Sequence, residues 1–151
     1  MAEVFPIAPA SAKPLWLLAG VCLLLAGVLA LLAYSAYSSR HSRVEVRGDG
    51  LRLVGDLWGR TVPLAALELE RAAILDLTQA FDYTPARRTF GTGLPGYQAG
   101  WFRLRNGEKA LAYVTRRDAV AYLPTSAGYS LLLSVERPRD LLAALRANAG
   151  R

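Results

Sequence analysis

The chain opens with one long apolar segment and continues with short stretches in which apolar and polar residues alternate. Leu15–Tyr37 contains no charged residue. A helix of about 23 residues is about 34 Å long, enough to cross a hydrocarbon core of about 30 Å. Trp16 lies at one end, and Tyr34 and Tyr37 lie at the other, as in interfacial aromatic belts. The pattern predicts a transmembrane helix over residues 14–38.

A cleaved secretory signal is the alternative for this segment. Ala33 and Ser35 are small enough to form a cleavage site. The apolar run is longer than the roughly 7–15 residues of a signal sequence, and only Lys13 precedes it as a side-chain cation. These features favour an uncleaved anchor.

Charged residues on the two sides of the segment predict its orientation. On the N-terminal side, Lys13 is offset by Glu3. Four arginines follow the segment: Arg40, Arg43, Arg47 and Arg52. The positive-inside rule then predicts a single-pass protein of the inner (cytoplasmic) membrane with its C-terminal domain in the cytoplasm. The predicted organisation is a tail (1–13), a transmembrane helix (14–38), a basic connector (39–43) and a domain (44–151).

Alternation with a period of two continues through most of residues 44–134 and predicts strands. Two turn signals predict hairpins, Asp49-Gly50 and Asn106-Gly107, each between alternating runs. The segment 64–77 predicts a turn followed by a strand. Thr78–Gly100 contains two prolines and four glycines and is predicted to be irregular.

The C-terminal segment predicts an amphipathic helix. Pro138 suits its first turn, and Leu141, Leu142 and Leu145 form one apolar face. The predicted fold is therefore mainly β, with about seven antiparallel strands in a bent sheet or partial barrel. The closing helix would cover an open end or edge of that sheet.

Residues 88–111, which read RTFGTGLPGYQAGWFRLRNGEKAL, resemble the signature stretch of a bacterial pleckstrin-homology (PH)-like family of small membrane proteins. Tyr122-Leu-Pro-Thr and Tyr129-Ser-Leu-Leu-Leu-Ser are similar to the closing strands of that family. The resemblance covers about residues 40–147. It implies a seven-stranded bent sheet with a C-terminal capping helix, and it transfers no functional residue.

The glycine-rich part of this stretch is a candidate site. Gly91–Gly96 fits the string G-x-G-x-x-G, but a dinucleotide site requires a following helix, and here a strand pattern follows. The two remaining interpretations are a purely structural loop and a binding loop with Tyr97, Arg87 and Arg88 as exposed contacts. The structural loop glycines are Gly91, Gly93, Gly96 and Gly100.

The excess of basic residues is the second candidate feature. The chain carries 18 Lys and Arg against 12 Asp and Glu, a net charge of +6. Arg40, Arg43, Arg87 and Arg88 are candidate contacts for anionic lipid headgroups or for a partner. The alternative is that the juxtamembrane arginines only set the orientation and the others are solvated. The basic residues form no long run, so no nucleic acid is expected.

Catalytic and metal-binding constellations are not indicated by the sequence. Cys22 lies in the apolar segment and His41 beside it, so they cannot supply the ligands of a zinc site. No cofactor, metal or catalytic residue is predicted. The leading hypothesis is a non-catalytic adaptor for a protein partner at the membrane, and the alternative is direct recognition of anionic lipid headgroups.

Overall fold

The computed structural model of the chain describes residue 11, residues 13–55 and residues 57–150. The predicted N-terminal tail, residues 1–13, lies outside the described residues except for Ser11 and Lys13. The chain divides into two compact units between Tyr37 and Ser38.

The apolar segment forms a single helix, α1 (Lys13–His41). Its Leu and Ala content favours the helix, and Arg40 and His41 in its last turn suit the negative end of the helix dipole. Within it, Lys13–Ser38 is long and apolar enough to cross a membrane. The predicted connector 39–43 is largely regular structure, because the helix continues to His41 and Arg43 begins a strand.

The first sheet contains three antiparallel strands. They are β1 (Arg43–Arg47), β2 (Gly50–Val54) and β3 (Thr61–Pro63). β1 and β2 form the hairpin predicted at Asp49-Gly50, with Val46 opposite Leu51. A one-turn 3-10 helix, Leu64–Ala66, follows β3 directly.

The second sheet contains six strands in the order β4-β8-β9-β7-β6-β5. Its strands are β4 (Ala73–Leu75), β5 (Pro85–Leu94), β6 (Tyr97–Leu104), β7 (Lys109–Val114), β8 (Val120–Pro124) and β9 (Ser130–Leu133). All neighbouring pairs are antiparallel except β7 and β9, which are parallel. β8 and β9 are buried along their whole length, as strands covered on both faces are.

The two faces of the six-stranded sheet bury two separate apolar clusters. On one face, Leu111, Leu131 and Leu133 pack with Leu51 and Val62 of the three-stranded sheet. On the other face lie the residues that alternate with these: Leu77, Phe102, Leu104, Ala110, Ala112, Val114, Val120, Tyr122 and Leu132. Period-two alternation along β6, β7 and β9 therefore fills both clusters.

Helix α2 (Pro138–Ala149) closes the first cluster. Pro138 occupies its first turn, and Leu141, Leu142 and Leu145 are buried in the cluster, as the sequence predicts. The helix contacts β1, the 3-10 helix and β8. It thus covers parts of both sheets.

The predicted fold class is confirmed: an N-terminal apolar helix, a mainly-β domain and a C-terminal helix. The sheets are open and do not close into a barrel. Three details differ. The described residues contain nine strands, not about seven, they form two sheets, and one pair is parallel. The parallel pair arises because the β8–β9 hairpin folds back and places β9 beside β7.

The prediction of an irregular stretch over 78–100 is wrong. A 3-10 helix at Phe81–Tyr83 leads into β5 and β6, which form a long hairpin. Pro95 and Gly96 make its turn. Glycine and proline composition suggested a loop, whereas Gly91 and Gly100 lie in strands whose backbones approach each other closely.

Candidate functional site

Strand β5 forms one edge of the six-stranded sheet. It has ten residues, and it is the last strand in the sheet order, paired only with β6 among the described strands. Most of its side chains are exposed. An edge strand directs one row of backbone N–H and C=O groups away from its sheet. β5 therefore presents a long edge that no other described strand pairs with.

Two bulges shape the first half of β5. Ala86 and Thr89 have no partner in the register with β6, whereas Arg87 lies opposite Arg103 and Arg88 opposite Phe102. Bulges increase the local twist of a strand and redirect its side chains. From Phe90 to Leu94 the register is regular.

A cavity of about 990 Å³ at the start of β5 is lined by four arginines and one acidic residue, Asp82. The four are Arg87, Arg103, Arg105 and Arg117, and we call this cavity the basic groove. In the described part of the chain, none of them forms an ion pair with a carboxylate. Arg103 donates to the carbonyl oxygen of Gly107 at 2.7 Å. The basic groove therefore carries a net positive charge, because four guanidinium groups line it and Asp82 supplies the one carboxylate among its lining residues.

Backbone hydrogen bonds hold the wall of the basic groove in place. The Arg105 N–H donates to the carbonyl oxygen of Thr84 at 3.1 Å, and the Asn106 N–H donates to that of Asp82 at 2.9 Å. The Thr84 hydroxyl donates to the Phe81 carbonyl at 2.6 Å. These bonds attach the segment before β5 to the end of β6, so the arginine positions are set by the hairpin itself.

A second cavity, of about 700 Å³, adjoins the basic groove. The two share Pro85, Ala86 and Arg117, and the second adds Arg88 and Gln98. The Gln98 Oε1 atom is buried and accepts no hydrogen bond from the described residues. An arginine-lined surface therefore continues from the basic groove along β5.

A third cavity, of about 600 Å³, lies at the start of the β-domain. It brings together three predicted contacts, Arg40, Arg43 and Tyr97, and also includes Arg137. Its lining also includes five apolar residues: Leu53, Val54, Leu133, Val135 and Leu141. Its rim is partly neutralised, because Arg137 approaches Asp140 at 3.5 Å.

Glu45 reduces the positive charge near this third cavity. Arg43 Nε donates to Glu45 Oε1 at 2.9 Å, and Arg47 donates to Oε2 at 3.0 Å. The hydrogen bond from Arg43, followed by that from Arg47, lowers the pKa of the Glu45 carboxyl. Arg43 is therefore already engaged with an acid, unlike the arginines of the basic groove.

The structure thus separates the predicted contacts. Arg40 and Arg43 line the third cavity, Arg87 lines the basic groove, and Arg88 lines the second cavity. Tyr97 is not the exposed contact that the sequence predicts, because only 9% of its surface is accessible. It begins β6 with its side chain against both the second and the third cavity.

The predicted glycine loop is part of the β5–β6 hairpin. Gly91 and Gly93 lie in β5, Gly96 in the turn and Gly100 in β6. A strand, not a helix, follows the G-x-G-x-x-G string, so the context of a dinucleotide site is missing. Gly96 has φ of +79°, which explains glycine in that turn.

Sequence reasoning missed Arg103, Arg105 and Arg117. A usable signal is present: residues 85–105 contain four arginines and no Asp or Glu. These arginines come together only in the folded hairpin, in which Arg87 lies opposite Arg103. Arg117 joins from the segment after β7.

Aromatic and cationic side chains pack together around Trp101 of β6. Trp101 and Tyr129 form an edge-to-face pair with centroids 5.1 Å apart. The Lys109 ammonium lies 4.5 Å from the Trp101 ring centroid, and the Arg60 guanidinium lies 4.9 Å from it. The Trp101 ring thereby connects β6 with Lys109 of β7 and with Arg60, which precedes β3.

The most connected polar network lies in the second apolar cluster. The Tyr122 hydroxyl donates to Glu108 Oε2 at 2.9 Å, and the Ser130 hydroxyl donates to the same oxygen at 3.1 Å. Burial raises the pKa of the Tyr122 phenol. In the part of the chain that the structure describes, no group of three or more His, Cys, Asp or Glu is placed to hold a metal ion.

Comparison with known proteins gives one family match. The sequence model of the family described as "Bacterial PH domain" matches residues 61–149, more than half of the chain. No curated protein and no solved structure matches. The match covers β3 to α2, including the β5–β6 hairpin and the basic groove.

Proposed function

The chain belongs to the bacterial PH domain family, and on that premise we propose that it is a membrane-anchored, non-catalytic binding module. In this proposal, the domain is an adaptor that recognises a protein partner at the membrane. Helix α1 confines both proteins to the bilayer.

The anchor is supported by the length and composition of α1. Its segment Lys13–Ser38 has 26 residues and is apolar enough to span a bilayer. Arg40, Arg43 and Arg47 follow within a few residues. By the positive-inside rule we place the domain in the cytoplasm, attached to the inner membrane by a single pass.

Thiol labelling in intact spheroplasts tests this orientation. We introduce Ala143→Cys in the exposed face of α2, in a chain with Cys22→Ser. A membrane-impermeant maleimide should label position 143 only after the spheroplasts are permeabilised. Equal labelling of intact and permeabilised spheroplasts would place the domain outside the cytoplasm.

The observation that carries the adaptor role is strand β5. It is the longest strand of the domain, it forms the edge of the larger sheet, and most of its side chains are exposed. Strand addition to such an edge is a common mode of peptide recognition, since backbone hydrogen bonds supply affinity and side chains supply specificity. The neighbouring arginines add a feature by which a partner can be selected.

Site-specific photo-crosslinking in cells tests the adaptor role. A photoreactive residue is placed at Thr89 in β5 and, as a matched control, at exposed Ala143 in α2. The proposal expects one recurrent protein adduct from position 89 and none of that mass from position 143. The absence of adducts at position 89, or the same adducts at both positions, would contradict it.

Direct recognition of anionic lipid headgroups is the second candidate function. It is favoured by the third cavity, where Arg40 and Arg43, which directly follow the predicted span, share the lining with five apolar residues. Each basic residue near an anionic surface contributes about 1 kcal/mol of attraction.

Hydrogen exchange of the full chain in nanodiscs tests the lipid candidate. Phosphatidylserine should protect the amides of β1 and β2 relative to pure phosphatidylcholine, and salt should reverse the protection. Arg40→Gln together with Arg43→Gln should abolish it, whereas Arg139→Gln in α2 should not. Exchange that is the same in both lipids would reject this candidate.

A further inference from the structure

We infer that the basic groove binds an acidic, extended segment of a protein partner, which lies along β5 with its carboxylates against the arginines. The inference rests on the proposed adaptor function and specifies the chemistry of the partner.

Charge complementarity is the first argument. The basic groove carries four guanidinium groups and one carboxylate, that of Asp82. Guanidinium is a planar cation with five N–H donors, so the groove combines positive charge with many hydrogen-bond donors. Like charges around one cavity repel each other, and an incoming carboxylate relieves that repulsion. Guanidinium groups also bind carboxylates in a bidentate geometry.

The second argument is that these arginines are available. Some arginines elsewhere in the described domain are paired with acids, such as Arg43 with Glu45 and Arg116 with Asp118 at 2.6 Å. Arg87, Arg105 and Arg117 have no such acid within reach among the described residues. What sets the groove apart is that its arginines line a single cavity in which Asp82 is the one carboxylate among the lining residues.

The shape of the arginine surface favours an extended ligand over a small anion. It extends over two adjoining cavities that share Pro85, Ala86 and Arg117. One small anion engages only one or two guanidinium groups, whereas successive acidic side chains of an extended peptide contact several. Both cavities are lined in part by β5, so a peptide that occupies them contacts that strand.

The backbone of β5 has two parts that suit different contacts with a peptide. Its bulges at Ala86 and Thr89 interrupt the ladder where the arginines lie, and its register is regular from Phe90 to Leu94. The regular part is suited to backbone pairing and the bulged part to side-chain contacts. Bulges and charges also restrain indiscriminate pairing at an edge. The partner segment must therefore carry negative charge to pair at this edge.

The test uses the full chain in phosphatidylcholine nanodiscs. The probe is a fluorescein-labelled peptide of alternating Glu and Val, and the control peptide has Gln in place of each Glu. Fluorescence anisotropy should show binding of the Glu peptide that weakens as salt is raised, and no binding of the Gln peptide. Binding of both peptides alike, or of neither, would overturn the inference.

Matched variants locate the site. Arg105→Gln with Arg117→Gln should weaken peptide binding by roughly tenfold, since an exposed charge pair contributes up to about fivefold in affinity. Arg52→Gln with Arg139→Gln removes the same charge from β2 and α2 and should leave binding within about twofold. Circular dichroism of each variant confirms that the domain is folded. Equal loss in both double variants would indicate only a net-charge effect and overturn the inference.

Two further arms separate other anions from a peptide. Inorganic phosphate and phosphatidylserine nanodiscs are each added as competitors at matched charge concentration. The inference expects the peptide to remain bound in both. Complete displacement by phosphate or by the lipid assigns the groove to that anion and overturns the inference.

If the peptide does not bind but position 89 still crosslinks one partner, the inference fails and the adaptor function stands.

Discussion

Gly91 and Gly100 lie opposite each other across the β5–β6 hairpin, and both have positive φ angles, +148° and +124°. A Cβ atom built on Gly100 would lie 2.6 Å from the Cα of Gly91. One on Gly91 would collide with the backbone of Ala99. Neither position tolerates a side chain, so this pair fixes how closely the two strands approach.

We expect Gly100→Ala to destabilise the domain by about 2–3 kcal/mol, because it combines a backbone collision with an unfavourable φ. Gly93→Ala in the same hairpin is the control. Its new Cβ meets only the flexible Arg88 side chain, at 3.3 Å, and it should change stability by less than about 1 kcal/mol. Guanidinium denaturation in detergent micelles, followed by tryptophan fluorescence, measures both. Similar losses in the two variants would contradict the account of the Gly91–Gly100 pair.

We expect Leu145→Ala to lower the free energy of unfolding by about 2–5 kcal/mol. Leu145 is fully buried where α2 covers the first apolar cluster, and its truncation leaves a cavity. Leu57→Ala, at a side chain that is 77% exposed, should stay within about 0.5 kcal/mol of the parent. The same denaturation experiment measures the free energy of unfolding of both variants. A small decrease for Leu145→Ala would show that α2 does not close the core.

We expect the Tyr122 phenol to titrate above the ordinary tyrosine value of about 10. Burial is the main cause; the Glu108 carboxylate also raises the pKa of Tyr122, and the Ser130 hydrogen bond opposes them. A raised folded-state pKa contributes stability that is fully present below the unfolded pKa and is lost as pH rises through the folded pKa. Ultraviolet absorbance of parent and Tyr122→Phe proteins isolates this titration. A difference curve centred at or below the ordinary value would be incompatible with the network.

We expect the pKa of the Glu45 carboxyl to lie below its usual range, and Arg43→Gln to raise it toward that range. A lowered folded-state pKa contributes stability above the unfolded pKa that is lost as pH falls through the folded pKa. Carboxyl-carbon NMR of selectively labelled protein follows the titration. Arg139→Gln is the control and should leave Glu45 unchanged. An unshifted Glu45 in the parent protein would exclude the Arg43 contact in solution.

Local chemistry explains what the sequence predicts correctly. Asn106-Gly107 gives its hairpin because Gly107 adopts the positive φ that a tight turn needs, +89°. The first hairpin forms as predicted, with Gly48 and Asp49 in its turn and Gly50 already in β2. Proline in the first turn and leucines at helical spacing give α2. These signals lie within a few residues of one another, so no knowledge of tertiary contacts is needed.

Non-local pairing explains what the sequence misses. From sequence alone, Gly91 and Gly93 are typical of a loop. In the structure they are strand residues, because they pair with Gly100 and Gln98. The basic groove draws Arg87, Arg103 and Arg117 from three separate segments, and nothing in the spacing of those segments predicts their proximity. Tyr97 is buried because it lies between β-domain surfaces that only the folded chain creates.

The central position of β9 constrains the order in which the strands of the larger sheet can pair. β9 is the last strand in the chain order, yet it lies between β7 and β8 in the sheet. Until Leu133 has left the ribosome, β7 and β8 each keep an unpaired edge, and the two halves of the larger sheet cannot join. The two halves can therefore join only once β9 is available, and until then the unpaired edges of β7 and β8 are exposed to aggregation. An anchor already inserted in the bilayer would keep nascent copies apart during that interval.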